Sequence, residues 1–394
     1  MRLPASLSSL LVLLSATVPL VVAAPSLTDH SSCGCFLTNG TEARYFSNHK
    51  FFDFRSQSQY AGVPKVITSA DDSTEADKTS KFFDTTQWSD MWMVGSWNNS
   101  KTVRNDASVL MINSPNNVYI EANGDRTNSP QTWLTLRTQR LATFQTAAEI
   151  ESTEKIGFQF LSMRMLARTI GAKGAITALF TYRHSDKLAD VQEADLEVRT
   201  VDPPELVHYT NQPSYTDKGD TVEEATENVT LPDALLRSDW AVHRLDWTPT
   251  SNTWYVNGKQ VAQISFQTPR DPSKIILNAW SDGGQWAGNM SVNDAAYLQV
   301  QWFEVVYNGT DGVHTRKAKR DEETGRESDL VGRADEGCKA VCSIDETPSL
   351  GQPVMLWNNG AGRIRGQPGG GGLVSWIPSA SVLAMFALSA GLWR

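Results

Sequence analysis

Residues 192–198 read Gln192-Glu193-Ala194-Asp195-Leu196-Glu197-Val198, three acids alternating with three apolar residues. Alternate residues of a β-strand share one face. Glu193, Asp195 and Glu197 would therefore line one surface while Ala194, Leu196 and Val198 enter a core. Three like charges in a row repel, and stability alone does not call for them. Cleavage of a glycosidic bond does, because it uses two carboxyls flanking the scissile bond, about 5–5.5 Å apart in a retaining reaction. Extended residues i and i+4 start ~13 Å apart at the backbone, from ~3.3 Å per residue. Glu193 and Glu197 must then lean together across Asp195 on a concave strand. Carboxyls that close push their pKa values apart, so Asp195 helps set which glutamate stays ionised as nucleophile and which stays protonated as acid. Alternating acids are also the pattern of a solvated outer strand face, and the short motif does not separate the two readings.

The elements that would position these acids are strands. Leu298, Val300 and Trp302 alternate with Gln299, Gln301 and Phe303, the period of a half-buried strand. Residues 132–137 and 175–180 read similarly. Residues 243–247 and 254–257 flank 248–253 as a hairpin with a short loop, and Asn257-Gly258 is a second tight-turn signal. Long amphipathic helical stretches are scarce, and no internal repeat is evident. Many short strands with regular turn signals predict an all-β sandwich or barrel between residues 51 and 307.

Around the acids the chain resembles glycoside hydrolase family 16. The family pattern of acid-apolar-acid-apolar-acid is matched by Glu193, Asp195 and Glu197, without an inserted residue, as in the lichenase, xyloglucan transglycosylase and fungal wall crosslinking branch. Upstream, Gly157-Phe-Gln-Phe-Leu-Ser-Met-Arg164 looks like the strand preceding the catalytic one. Downstream, Trp240-Ala-Val-His-Arg-Leu-Asp-Trp-Thr-Pro249 and Trp254-Tyr-Val-Asn-Gly258 resemble the family hairpin. Asn278-Ala-Trp-Ser-Asp-Gly-Gly-Gln-Trp286 is similar to a cleft segment of fungal members. The resemblance implies a concanavalin-A-like jelly-roll β-sandwich of two curved antiparallel sheets, in a fungal cell-surface member. It implies Glu193 as nucleophile, Asp195 as helper, Glu197 as acid/base, and Trp280 and Trp286 as sugar-stacking residues. Asn211, in Tyr209-Thr-Asn-Gln212, is expected to hydrogen-bond a sugar near the nucleophile. Ala194 replaces a larger aliphatic residue, and Val198-Arg-Thr200 replaces the usual aromatic and glycine, which bears on sugar specificity.

The chain has 394 residues, 40% hydrophobic and 20% charged, enough apolar material for a sizeable core. Its formal net charge is −9 and no basic stripe is visible, which argues against nucleic acid as a partner. Trp occurs 13 times, as core and as a side chain suited to sugar faces. Arg2, the apolar run at 10–22, and Ala23 and Ala24 read as a secretory signal over 1–23, too short to span a bilayer. Small residues at 358–361, a polar glycine-rich spacer at 362–372 and an apolar stretch at 373–393 read as a GPI-anchor signal over 360–394, whose tail is removed as lipid is attached near Asn359 or Gly360. The expected organisation is a catalytic sandwich over 24–315, then a charged linker and Cys-containing segment over 316–359, in which Lys319-Arg320 is a dibasic pair.

Cys33 and Cys35 lie near one end of the domain, and Cys338 and Cys342 near the other. In an oxidising compartment they should form two bridges between the clusters, because domain termini tend to lie close; which pairs with which is open. The spacing does not fit a zinc site. Sequons at Asn39, Asn98, Asn228, Asn289 and Asn308 suggest surface loops carrying glycans. The six histidines show no metal spacing, no nucleophile-elbow serine motif appears, and the glycine-rich stretch lacks a P-loop lysine. No cofactor and no metal are expected. The expected protein is a monomeric enzyme at the cell surface or wall, held by its lipid, acting on a β-1,3- or mixed-linkage glucan of the wall. A transglycosylase of the same fold, a non-catalytic lectin and a structural wall protein are the alternatives.

Overall fold

The computed structural model describes residues 26–100, 106–124, 130–310 and 338–358. The expected signal at 1–23, the charge run at 316–323 and the anchor signal at 360–394 lie outside the described residues. Among the described residues no helix is long and apolar enough to cross a membrane.

Two curved antiparallel sheets pack face to face: the sandwich is one of the two forms the alternating segments predict, and its jelly-roll form is what the resemblance implies. The cleft sheet runs, in spatial order, Trp92–Val94, Phe144–Ser152, Lys274–Trp280, Ile176–Arg183, Gln192–Arg199, Leu206–Gln212 and Thr226–Thr230. The back sheet runs Val118–Ala122, Thr132–Arg140, Ala295–Thr310, Gly157–Gly171, Ala241–Trp247, Asn252–Val256 and Lys259–Ile264, with Asn48–Asp53 beside the second half of Ala295–Thr310. Phe144–Ser152 joins the sheets: its first residues pair with Leu110–Asn113 and Thr132–Arg140, its last with Lys274–Trp280.

The core forms where the inward faces meet. Leu161, Met163, Met165, Leu245, Trp247 and Trp254 of the back sheet pack with Leu179, Ala194, Leu196, Val198 and Leu277 of the cleft sheet. Thr248 to Ser251 turns the first hairpin, since Asn252 and Thr253 already pair with Trp247 and Asp246. Asn257 and Gly258 both take positive φ, 49° and 80°, which lets a two-residue turn follow the strand twist. Many of the tryptophans are core, among them Trp88, Trp92, Trp247 and Trp254.

The half-buried strand expected at 298–303 is instead buried on both faces. A bulge between Val300 and Trp302, opposite Leu166 and Ala167, changes which face each residue takes. Leu298 and Val300 point into the core, and after the bulge Phe303, Val305 and Tyr307 do. Trp302 faces away, against Phe51 at 6.3 Å between ring centroids.

That outer face is covered by a small sheet of Ser26–Leu27, Val354–Asn358, Ala340–Ser343, Cys35–Leu37 and Tyr45–Phe46. Phe36, Phe46, Cys342 and Ile344 pack on Val306. Disulfides Cys33–Cys342 and Cys35–Cys338 join its two halves, as the terminal clusters predict, with Cα separations of 5.8 and 5.6 Å. Closing so long a loop contributes about 2–5 kcal/mol in the chain-entropy model. The boundary drawn at 315 is thereby corrected: 338–358 completes the folded body, because its strands find their partners near the N-terminus.

Charged groups weld this sheet to the sandwich. Asp345 Oδ1 accepts from Arg164 at 3.0 Å and from Arg244 at 3.1 Å. Arg164 also donates to Glu304, and His49 Nε2 lies 2.8 Å from Glu304 Oε1. Burial alone would raise Glu304's pKa, but the His49 contact and the Arg164 charge hold it below the usual range. Of the sequon asparagines, Asn39, Asn98, Asn228 and Asn289 are exposed, whereas Asn308 is half-buried.

Candidate active site

The strand Gln192–Arg199 lies in the middle of the cleft sheet and keeps its predicted alternation. Ala194, Leu196 and Val198 are core, while Glu193, Asp195 and Glu197 face the concave side. Cross-strand register places Tyr182, Phe180 and Ala178 opposite the three acids on one flank, and Gln212, Thr210 and His208 on the other. The resulting cleft, about 250 Å³, is also lined by Trp97, Asn99, Met111, Asn113, Glu149, Asn278, Trp280 and Asp282. Aromatic and apolar side chains with a few polar groups among them are the make-up of a small-molecule or saccharide site.

The acids are electrostatically unequal. Asp195 is only 2% exposed, and burial pushes its pKa well above the carboxylate range. The charges of Glu193 and Glu197 add to this, and a hydrogen bond from Gln212 Nε2 to Oδ2, 3.2 Å, offsets part of it. Burial also raises Glu193, to about 7, opposed by a hydrogen bond from Asp195 and reinforced by Glu197. Asp195 is thus the member that keeps its proton, donating it toward Glu193, which favours the ionised form of Glu193. Glu197 Oε1 accepts from Trp286 Nε1 at 3.4 Å.

Trp280 lines the cleft, level with Ile176 in the adjoining strand. Trp286, in the following loop, touches Glu197 but is not among the residues that line the cleft, so the structure places only Trp280 of the two expected stacking residues on its wall. Asn211 does not reach it. It pairs in register with the core residue Ala194, so its side chain enters the interior. There it is fully buried, donating to Phe266 O at 2.8 Å and accepting from Asn252 Nδ2 at 2.6 Å. The expectation of a sugar contact at Asn211 is corrected on that ground, and its neighbours Thr210 and Gln212 occupy the cleft face instead.

Glu149 is a further carboxyl in the cleft that the motif reading passed over. It sits level with Asn278, and its Oε1 accepts from Trp97 Nε1 at 2.7 Å. The signal was available: Ala147-Ala148-Glu149-Ile150-Glu151 carries the same alternation of acid and apolar residues. Burial raises Glu149 to about 7, against the opposing Trp97 bond. A folded-state pKa above the unfolded one means that the folded state binds the proton more tightly, so stability falls as pH rises from about 4.5 through 7. Glu149→Gln keeps an oxygen for Trp97 and removes the buried charge. It should stabilise the protein by about 1–3 kcal/mol at pH 8 and by almost nothing at pH 4, at 1.36 kcal/mol per pKa unit. Urea unfolding at the two pH values checks this; an equal effect at both would show that Glu149's charge is not the cause.

Among the described residues no group of three or more His, Cys, Asp or Glu is placed to hold a metal ion. What the arrangement can do is act on a bond held across the strand, with one ionised carboxylate, a neutral acid beside it and a third carboxyl held by an indole.

Comparison with known proteins gives this arrangement a context. The model of the Glycosyl hydrolases family 16 matches residues 94–303, more than half of the chain. The beta-glucanase of Bacillus amyloliquefaciens is 24% identical over 158 residues, 39% of this chain and 61% of that protein. The beta-glucanase of Bacillus subtilis is 25% identical over 156 residues, 39% of this chain and 60% of that protein. The chain thus spans about 60% of the length of these relatives. A prokaryotic beta-1,3-1,4-glucanase (lichenase) from a mouse hindgut metagenome superposes with a TM-score of 0.43 at 18% identity, over 66% of this chain and 99% of that one.

Proposed function

The chain belongs to glycosyl hydrolase family 16, and from that premise we propose that it is a retaining, endo-acting glycoside hydrolase of β-glucans. The observation that carries the reading is the row Glu193, Asp195, Glu197 on the floor of an open cleft, with the middle acid held neutral by burial. A pure sugar binder gains nothing from burying three carboxyls together, since each costs desolvation. The relatives' names supply the substrate class, a β-glucan, and β-1,3 or mixed β-1,3/1,4 linkages are the ones we propose within it.

The reaction is a double displacement. A Glu193 oxygen attacks the anomeric carbon, the glycosidic C–O bond breaks, and Glu197 gives its proton to the departing oxygen. Glu197, now ionised, takes a proton from water as that water attacks the same carbon and frees Glu193. Trp280 supplies a flat apolar face for a sugar ring in the cleft. The same intermediate passed to a sugar hydroxyl would make a transglycosylase. Product analysis on defined β-1,3-, β-1,4- and mixed-linkage oligosaccharides, with and without a labelled acceptor, tests both: shortened chains are expected, and longer labelled ones would assign transfer. Binding without any cleavage would leave a lectin and overturn the enzyme reading.

The chain is further proposed to act as a monomer outside the cell, at the cell surface or wall, glycosylated and held by a GPI lipid. Two disulfides fit an oxidising compartment, and the small-residue site, spacer and apolar stretch at 358–393 fit the anchor. Phosphatidylinositol-specific phospholipase C should release the active protein from intact cells; retention after treatment would refute the anchor.

A further inference from the structure

An acid/base carboxyl works best when one oxygen is held and the other faces the leaving group. Trp286 Nε1 donates to Glu197 Oε1, so the indole takes one oxygen. Trp286 lies in the loop between Lys274–Trp280 and Ala295–Thr310, where no strand ladder fixes its ring. Side chains fix it instead. The Arg199 guanidinium sits 4.2 Å from the ring centroid, and Arg199 Nε donates to the Trp286 carbonyl at 2.9 Å. His208 meets the ring edge-on, with centroids 5.3 Å apart and planes at 66°.

Asp202 ties these two supports together. Its Oδ2 lies 2.6 Å from His208 Nε2 and 3.6 Å from Arg199 Nε. The other ring nitrogen of His208 lies 2.6 Å from Asn228 Oδ1, so the imidazole is held at both ends while 4% exposed. His208 is also the direct cross-strand partner of Glu197. Filling space beside Trp286 would be served as well by an apolar side chain, without the cost of burying a polar ring. What the polar assembly adds is a defined direction for the indole N–H.

We propose that His208, with Asp202 and Arg199, positions Glu197 through Trp286, selecting the oxygen that carries the transferred proton. The proposal rests on Glu197 being the acid/base of the function proposed above, and it assigns its residues no contact with substrate.

The test compares His208→Ala, His208→Gln and Trp286→Phe on two substrates. One is a β-glucan oligosaccharide, whose sugar leaving group needs the proton; the other is a 2,4-dinitrophenyl β-oligoglucoside, whose leaving group departs without it. On the oligosaccharide, His208→Ala and Trp286→Phe should each lower kcat about 10–100-fold with KM within about threefold. Release of dinitrophenol in the first turnover should change less than about threefold. His208→Gln, which keeps hydrogen bonding at that position, should recover most of the loss. The double variant should be no worse than the poorer single one, because both act on one bond. An equal fall on both substrates would mean a structural defect and overturn the proposal, as would no loss or strict additivity. If the unaltered protein turned over neither substrate, the proposed function would fail by itself. The positioning would then be judged by the Trp286 indole N–H resonance, identified by its loss in Trp286→Phe. It should move in Glu197→Gln, which alters its acceptor, and in His208→Ala, which alters its support; a resonance indifferent to His208→Ala would overturn the proposal.

Discussion

Glu193→Ala is expected to lower kcat on a β-glucan oligosaccharide by about 10⁴-fold or more, about 5.5 kcal/mol at 1.36 kcal/mol per decade. Removing the attacking group leaves no route to a covalent intermediate, whereas the cleft walls, Trp280 among them, remain. Substrate affinity should therefore stay within a few-fold. Azide added to this variant should give an α-glycosyl azide, since the small anion enters on the side that the carboxylate vacates. The unaltered protein should release its first product with the β configuration retained, read by proton NMR before mutarotation. An inverted first product would exclude Glu193 as a nucleophile. The acidic limb of kcat/KM should lie above the ordinary glutamate range, because burial raises Glu193 and activity is lost as pH falls through that raised value.

Glu197→Ala should behave differently, and the asymmetry is the informative part. On unactivated oligosaccharides, loss of the general acid should lower kcat about 10²–10⁴-fold. On the dinitrophenyl glycoside, Glu193 should still attack at close to the normal rate, giving a burst of dinitrophenol. Turnover should then stall, because no base is left to activate water. Azide needs no base and should restore turnover, yielding a β-glycosyl azide. A fall of the same size on both substrates, with no azide adduct, would remove Glu197 from the acid/base role.

The acid row of the candidate site was legible because its signal is local. Alternation at 192–198 puts the acids on one face and Ala194, Leu196 and Val198 on the other wherever the strand lies, since side-chain direction along a strand follows from its own backbone. The Asn257-Gly258 turn is local in the same way, set by two positive φ values that these residues tolerate. The disulfide partners at the two ends of the domain followed from the general closeness of domain termini, while the pairing within them waited for the strands Cys35–Leu37 and Ala340–Ser343 to come together.

Tertiary structure decided what depends on a partner far along the chain. Trp302 points away from the core between the two sheets because of a bulge opposite Leu166 and Ala167, and the alternation of 298–303 holds no sign of that neighbour. Asn211 is interior because it pairs with Ala194 rather than with an acid, a shift of one residue in register that exchanges the two faces of the strand. Glu149 joins the cleft only because Phe144–Ser152 leaves one sheet for the other partway along its length. The pKa order of the acid row also belongs to the fold: Asp195 keeps its proton because strands on either side bury it between Glu193 and Glu197. By itself the sequence determined which side chains share a face, a property of a few consecutive residues. Which faces meet, and how deeply each charge is buried, required contacts between segments far apart in the chain, and only folding brings those together.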